Sequence, residues 1–467
     1  IDITLSSGGG NFLLPNSLNT EATSGSGGLA IQQGVARVSG ANTGIILDGP
    51  LVISGGSLNM DGGVGVNNFI EYSASGNASI QLSAGTLTVG SQVRRSTAST
   101  SGILKYTQTG GVAVFGKNAV PTTIRGVFEV INPGSEFHLD IDGGAGESFT
   151  VVRHLNSTSV PTVRLSPATS SITDGSTITL GNADTPASQT NFGIYSSISL
   201  ETLRIGSANV TAKIYTAPLT VDNLSITTGS SFNANGLDLT VNESVVNDGT
   251  FVSGGTIANN QTTFFPTSAT GTISGSGTTT FWNLEKSGSG SLVLAKSVTV
   301  ANNASILAGT LNTATYAFNI KKDLLHDATH ISAAAGPGII FNGTEKQNLG
   351  RSSSGLSYFG VVNLNNTAGL IITDTDENFQ VDQKLVLTTG VLDIGGNLLV
   401  IPEASTIESG TGGKAYTDFN VNRMIQTNSS IKDFGLRKIF PAITAGSSTF
   451  TFPVGLTSYT PAVINVN

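Results

Sequence analysis

The chain has 467 residues, of which 58 are Gly and none is Cys, and its formal net charge is −8. The lack of Cys excludes disulfides and thiolate chemistry, and 38% hydrophobic with 11% charged residues is typical of a folded chain rather than a disordered one. There is no basic cluster beyond Arg94 and Arg95, and no apolar run is long enough to span a bilayer, so we expect neither a nucleic-acid partner nor membrane insertion.

Short alternating segments follow an N-terminal stretch, residues 1–43, that we interpret as a cap or entry segment. From residue 44 onward, pairs of apolar residues are separated by small polar corners. Ile80 and Leu82, for example, lead through Gly85 to Leu87 and Val89, and similar units begin at residues 51, 104 and 128. Alternation puts every second side chain on one face, and Gly tolerates the backbone of a sharp corner. Each unit is therefore predicted to be a strand, a corner and a strand.

A longer period of about eighty residues covers approximately residues 203–400. Leu284 corresponds to Leu364 in this period and Leu311 to Leu392, with similar letters around each pair. A sandwich would not need such a repeat, whereas stacked coils of roughly 20 to 25 residues produce one by construction. We predict that residues 44–408 form an all-β parallel β-helix (a β-solenoid), in which eighty residues make three to four coils.

Two expectations about the core follow from this pattern. In the unit that begins at residue 104, the alternation predicts that Val112 and Val114 point inward. Trp282 occupies the same position of the repeat as Leu203 and Val362, which predicts a side chain that fills the core and does not form a binding platform.

The segment 321–335 is the nearest candidate for a helix. On a helix, His326 and His330 would lie on one face, as two zinc ligands do. The eighty-residue register aligns this segment with β-like letters, and no third ligand is nearby. We therefore predict strand and turn here and no zinc site.

The rhythm of short corners is lost after Pro402. Residues 409–414 have the composition of a linker, and residues 415–467 carry longer alternations, in which Phe450 and Phe452 are interleaved with Thr449 and Thr451. We predict that residues 415–467 begin a second, sandwich-like β module.

Several phrases resemble those of large surface proteins of Bacteroidota that are exported by type IX secretion. They are IIFNGTEKQNL (339–349), YFGVVNLNNTAGLIIT (358–373) and LVLTTGVLDIGGNLLVI (385–401), followed by FNVNRMIQ (419–426) and FTFPVGLTSYTPAVI (450–464). The resemblance covers residues 200–467 well and the first 200 residues in style. It implies a right-handed, adhesin-like β-helix at the cell surface or outside the cell, with export machinery and outer-membrane anchoring partners.

Two pairs of acidic residues are close enough in sequence to share a hard cation such as calcium. They are Asp140 with Asp142 and Asp374 with Asp376. Neither pair has the full spacing of a calcium loop, and acids at the corners of a β-helix are usually only solvated. These four residues are the candidate calcium ligands, and we predict no other cofactor and no catalytic residue.

The function that we expect is that of a non-enzymatic adhesin or surface stalk, which makes weak multivalent contacts with glycans or surfaces. One alternative is a polysaccharide lyase or hydrolase, which would need carboxylates with Lys or Arg in one groove. A second is a passive spacer or filament component. Threonine pairs such as Thr177 with Thr179 could form an ice-binding ladder, but the pair does not recur in each unit.

Overall fold

A computed structural model describes residues 3–5, 11–14, 18–20, 28–38, 43–73, 76, 78–120, 123–144, 146–155, 157–352, 355–373, 378–427, 434–442 and 446–467. These ranges form short β-strands and contain no α-helix; one 3-10 turn lies at Tyr416–Asp418. Accordingly, no helix in the described ranges is long and apolar enough to cross a membrane. The chain divides into two compact units, residues 1–240 with 246–252 and residues 241–245 with 253–467.

The strands of the first unit are β1 (Ile3–Leu5), β2 (Asn11–Leu14), β3 (Leu18–Thr20), β4 (Leu29–Ile31), β5 (Val35–Val38), β6 (Gly44–Leu47), β7 (Pro50–Met60), β8 (Phe69–Tyr72), β9 (Ser79–Val89), β10 (Val93–Arg95), β11 (Lys105–Gln108), β12 (Val112–Phe115), β13 (Phe128–Leu139), β14 (Ser148–Val151), β15 (Val163–Ile172), β16 (Thr177–Leu180), β17 (Gln189–Ser196), β18 (Leu200–Ile205), β19 (Val210–Ile214), β20 (Leu219–Ile226), β21 (Ser231–Asn233) and β23 (Thr250–Val252). The boundary between the units falls within β22 (Leu239–Asn247).

Parallel ladders stack the strands of the first unit. One ladder contains β5, the second half of β7, then β9, β12, β14, β16, β18 and β20. Because each strand pairs with its counterpart in the next coil, the chain winds as a parallel β-helix, which confirms the predicted fold class. The described strands within residues 1–43 follow the same pattern, since β1 pairs in parallel with β4 and β2 with β5.

The interior of the first unit contains a cluster of five aromatic rings, from Tyr106, Phe115, Phe128, Phe137 and Phe149. All five side chains are fully buried, and the centroid of the Phe128 ring lies 4.7 Å from that of Phe115 and 4.8 Å from that of Phe149. Burying one such ring contributes about 1.5–3 kcal/mol relative to leaving it exposed. The cluster is therefore a main source of stability in these coils.

The unit that begins at residue 104 corrects one sequence expectation. Ala113 and Phe115 are buried, whereas Val112 and Val114 are only half-buried. The prediction that Val112 and Val114 point inward is therefore wrong by one residue. The large Phe115 ring fills the interior better than a Val, and the small Ala113 fits between Leu87 and Phe149, its partners in register.

The strands of the second unit are β24 (Thr262–Phe265), β25 (Thr270–Ser274), β26 (Thr278–Phe281), β27 (Asn283–Lys286), β28 (Ser291–Leu294), β29 (Val298–Val300), β30 (Ala304–Ile306), β31 (Thr310–Ala314), β32 (Ala317–Ile320), β33 (Leu324–His326), β34 (Thr329–Ser332), β35 (Gly338–Phe341), β36 (Gln347–Gly350), β37 (Leu356–Asn365), β38 (Leu370–Ile372), β39 (Asn378–Thr389), β40 (Leu392–Asp393), β41 (Leu398–Ile401), β42 (Thr406–Ser409), β43 (Ile425–Gln426), β44 (Gly435–Lys438), β45 (Ser448–Phe452), β46 (Val454–Gly455) and β47 (Ala462–Val466).

Coils of the second unit have three strand positions, filled for example by β27, β28 and β29, whereas the long strands β37 and β39 each fill two of these positions. The ladder through β27, β30, β33, β36 and β38 aligns Leu284, Ala304, Leu324, Leu349 and Ile372. Each step along this list is one coil, and every step falls within the length of roughly 20 to 25 residues that was predicted for a parallel β-helix. The segment 321–335 forms β33 and β34, which confirms strand and turn.

Residues eighty apart do not lie on the same ladder. Leu284 belongs to the β27 ladder, whereas Leu364 pairs with Phe341 on the ladder that contains β32 and β35. Leu311 belongs to the β28 ladder, whereas Leu392 pairs with Leu370 and so continues the β27 ladder. In both pairs, the offset moves a residue to the preceding strand position of the coil. Eighty residues therefore span about three and two-thirds coils, and the strands resemble one another across different faces.

Parallel pairing continues after the predicted linker at 409–414. β43 pairs in parallel with β40, β44 with β41, and β46 with β43. Among the named strands whose pairing is described, β45 and β47 are antiparallel, with Phe450 opposite Ile464. Within 415–467, the change of strand direction thus comes at Ser448 and not at the composition change.

Trp282 is only half-buried, unlike Leu203, which is fully buried. Trp282 lies between β26 and β27, and its indole packs against Gly255. A Cβ atom at Gly255 would lie only 2.6 Å from Cγ of Trp282. The prediction that Trp282 fills the core is therefore wrong; the ring covers a glycine at a corner of the coil.

Candidate functional site

One face of the first unit presents a surface of hydroxyl side chains. It is formed by β14, β16, β18 and β20, whose inward residues Phe149, Ile178, Leu203 and Leu224 stack in register. Because side chains alternate along a strand, the residues between these apolar positions point outward. We call this surface the polar face; its accessible residues are Ser148, Thr177, Thr179, Thr202, Arg204, Asn223 and Ser225, and Thr150, at its edge, is buried.

The polar face consists of two rows that cross the strands. Thr177 pairs with Thr202, and Thr202 with Asn223, in the first row. In the second row, Thr150 pairs with Thr179, which pairs with Arg204, which pairs with Ser225. Adjacent parallel strands lie about 4.8 Å apart, so polar side chains, most of them hydroxyls, repeat at that spacing across the coils.

A groove of about 320 Å³ lies on the polar face. Its lining contains Glu147, Arg204, Thr177, Thr179 and Thr202. Arg204 is exposed, and no hydrogen bond or ion pair joins its guanidinium to another described residue. The groove therefore offers one carboxylate, one free guanidinium and several hydroxyls, a set that suits hydrogen bonding to a polar ligand.

Two predicted calcium ligands border this groove. Asp140 and Asp142 are both exposed and flank the buried Ile141, which lines the groove. An oxygen of Asp140 accepts a hydrogen bond from Thr173 Oγ1 at 2.7 Å, and Asp142 Oδ1 accepts one from the backbone N–H of Gly144 at 2.7 Å. The two carboxylates thus help to hold the turns at 140–144 and 173–176, and each retains a second oxygen.

The other predicted pair, Asp374 and Asp376, lies outside the described residues. Among the residues that the structure describes, no group of three or more His, Asp or Glu side chains is arranged to hold a metal ion. Calcium binding therefore stays a prediction for both pairs.

His326 and His330 lie inside the second unit on successive strands, β33 and β34, and are fully buried. Burial is the main cause that lowers the pKa of each imidazole to about 3. His330 Nε2 lies 3.0 Å from Thr313 Oγ1, and its Nδ1 accepts a hydrogen bond from Gly360 N–H at 3.2 Å. Both are neutral core histidines at physiological pH.

A cluster of charged residues was not recognised from the sequence beyond Arg94 and Arg95. Glu129 is fully buried and lies 3.1 Å from Arg95 Nε and 3.9 Å from Arg125 Nε. Arg94 pairs with Glu71 at 3.2 Å. One signal was available: charged residues recur at 94, 129 and 164, at equal intervals, and Glu129 pairs in register with Arg164.

Comparisons of the chain with protein-family models, with curated proteins and with solved structures gave no match.

Proposed function

We propose that this chain is a non-enzymatic extracellular β-solenoid that acts as an adhesin or surface stalk, with weak multivalent contacts to glycans or surfaces. The observation that supports the proposal is the register of the polar face. Parallel stacking repeats Thr177 at Thr202 and Thr179 at Arg204, so one extended ligand can meet polar groups on successive coils. Each neutral hydrogen bond contributes only about 0.5–1.5 kcal/mol, and several together give useful affinity.

Glu129 is not available as a catalytic carboxylate. A β-helical lyase or hydrolase needs carboxylates that reach the substrate. Glu129 lies beside two arginines, but it is fully buried and accepts hydrogen bonds from Arg95 N–H, Arg95 Nε and Gly126 N–H. Its oxygens serve to hold the fold together.

The proposed location and partners rest on the sequence resemblance over residues 200–467. A chain of this kind would be exported and held at the outer membrane or released, and it would meet its export machinery and an anchoring partner there. Extension of the coils would carry the polar face away from the cell. Calcium is proposed as a ligand that Asp140 and Asp142 hold at the rim of the groove.

The test is a glycan-array and surface-binding screen of residues 1–467, run with calcium and with a chelator, with reducing-sugar release read from the same samples. The variant T177V/T202V removes two adjacent hydroxyls from the polar face while keeping shape. We expect it to lower glycan affinity about tenfold. The matched control is T280V/T299V, a pair in register on the second unit, which should bind like the wild type.

The outcomes separate the three functions. Binding without sugar release, weakened by T177V/T202V, supports the adhesin, and weakening by the chelator supports calcium at Asp140 and Asp142. Sugar release by the wild type would instead favour a polysaccharide-active enzyme. Self-association with no glycan or surface binding would favour a passive spacer.

A further inference from the structure

A second groove of the first unit, about 440 Å³ in volume, lies on β13, β15 and β17. Asn132, Pro133, Arg164, Ser166, Pro167 and Tyr195 line it, and we call it the arginine groove. Arg164 and Tyr195 are partners in register on adjacent strands, so their outward side chains stand side by side. Both are half-buried, which places a guanidinium and a phenol ring within one concave surface.

The guanidinium of Arg164 has no protein partner in the part of the chain that the structure describes. Its neighbour in register on the other side is Glu129, which would be the natural counter-ion. That carboxylate is already used: one oxygen accepts from Arg95 N–H at 3.0 Å and from Arg95 Nε at 3.1 Å, and the other accepts from Gly126 N–H at 3.3 Å. Arg164 is therefore left to face the groove.

The local charge is positive although the chain as a whole carries −8. Arg95, Arg125 and Arg164 give three positive charges beside the single negative charge of Glu129, so positive charge is in excess. The Tyr72 hydroxyl lies within electrostatic range of all four groups: burial and Glu129 raise its pKa, whereas the three arginines act to lower it. A half-buried, unpaired guanidinium in such a field attracts an anion.

The remaining lining suits a sugar ring that bears the anion. Ser197 Oγ donates a hydrogen bond to Ser166 Oγ at 3.1 Å, which leaves the Ser166 hydroxyl free to donate to a ligand oxygen. The Tyr195 ring and the two prolines supply apolar surface, and an aromatic ring with a polar tip is well suited to the apolar face of a saccharide.

We propose that the arginine groove binds a saccharide that carries a carboxylate, of the uronate class. The Arg164 guanidinium takes the carboxylate with two parallel N–H···O bonds, the sugar ring lies against Tyr195, and Ser166 donates to a ring substituent. This site is separate from the polar face and gives the chain a selectivity for acidic glycans that hydroxyl contacts alone do not provide.

The test is calorimetric titration of residues 1–467 with tetragalacturonate and with its methyl ester, in which the carboxylates carry no negative charge. We expect the acid to bind and the ester to bind about tenfold more weakly or worse. R164Q should lose a similar factor, R164K should fall between because it keeps the charge but not the fork, and Y195A should weaken both ligands. R37Q, which removes one exposed guanidinium elsewhere on the unit, is the charge-matched control and should bind like the wild type.

The midpoint of thermal unfolding is measured on the same samples, so that loss of binding is not confused with loss of fold. Because the Arg164 guanidinium has no hydrogen-bond or ion-pair partner among the described residues, the unfolding midpoint of R164Q should match that of R37Q. Equal affinity of acid and ester, equal affinity of R164Q and wild type, or no binding by the wild type would each overturn the proposal. The array results for T177V/T202V report the polar face separately, so failure of one site does not decide the other.

Discussion

The imidazole of His326 stacks on the ring of Phe359, with ring centroids 4.3 Å apart and an interplanar angle of 28°. Neither ring nitrogen of His326 has a hydrogen-bond partner within the described part of the chain. The imidazole therefore serves as an aromatic filler between coils, and protonation would place an unsolvated charge in the interior.

This burial predicts that acid destabilises the second unit. The pKa of His326 and that of His330 are each lowered to about 3 by burial, whereas the unfolded chain binds these protons near pH 6.5. The unfolded state thus binds more protons below pH 6.5, and stability falls as pH drops from about 6.5 toward 3. At pH 5 each histidine should lower the free energy of unfolding by about 2 kcal/mol relative to pH 8.

Urea unfolding of the wild type and of His326→Leu from pH 8 to pH 5 checks this. The variant should lose about half of the slope that arises from histidines of the second unit, since His330 remains. His138→Gln is the control for loss of an imidazole, because His138 is partly exposed and lies in the first unit; it should leave the unfolding of the second unit unchanged. A His326 imidazole signal that titrates near pH 6.5 in nuclear magnetic resonance spectra would contradict the prediction.

Removing the ring of Phe128 should strongly destabilise the first unit. Phe128 lies within 5.2 Å of Tyr106, Phe115 and Phe149, measured between ring centroids. Phe128→Ala leaves a cavity among these rings, and the expected loss in free energy of unfolding is about 3–5 kcal/mol. The control is Val64→Ala, at a side chain that is 87% exposed. This variant should change the free energy of unfolding by less than about 0.5 kcal/mol. Similar denaturation curves for the two variants would show that the cluster is not tightly packed.

Gly85 occupies a corner where no other residue fits. Its φ is +78°, and a Cβ there would lie 2.2 Å from the carbonyl oxygens of both Gly55 and Gly56 in the preceding coil. Gly85→Ala should therefore lower the free energy of unfolding by at least about 2 kcal/mol, because the backbone would be strained and the two coils would be pushed apart. Gly396→Ala, where a Cβ meets nothing within 4 Å, is the control and should stay near wild-type stability. Thermal midpoints of the two variants decide the point, and equal midpoints would refute it.

Neutralising Glu129 should lower the free energy of unfolding far more than neutralising Glu136 on the same strand. Glu129→Gln leaves Arg95 buried without its counter-ion, and we expect a loss of about 3–5 kcal/mol. The Lys105–Glu136 pair, at 2.8 Å, is partly exposed to solvent. Glu136→Gln should therefore lower the free energy of unfolding by less than about 1 kcal/mol. Chemical denaturation compares them directly; a loss below about 1 kcal/mol for Glu129→Gln would mean that the Arg95 pair contributes little.

The sequence by itself determined the strand, the corner and the absence of helix from the described ranges. For Ile80, Leu82 and Leu87 the alternation around Gly85 predicts the inward side chains correctly, because alternation and glycine corners are local properties of the chain. At Val112 and Val114 the same pattern gives the wrong phase. The sequence also predicted that His326 and His330 lie on strands, since the repeat carries the same local pattern.

Only the tertiary structure decided which strands are stacked and which outward residues meet. Coil length varies because loops of different length leave the coils at their corners: one coil runs only from Leu284 to Ala304, whereas another runs all the way from Ala113 to Phe149. Counting residues therefore does not give the register. Residues eighty apart lie on different ladders because eighty residues are not a whole number of coils. The same stacking brings Glu129 beside Arg164 and Arg164 beside Tyr195, a long-range juxtaposition that depends on the lengths of every intervening loop.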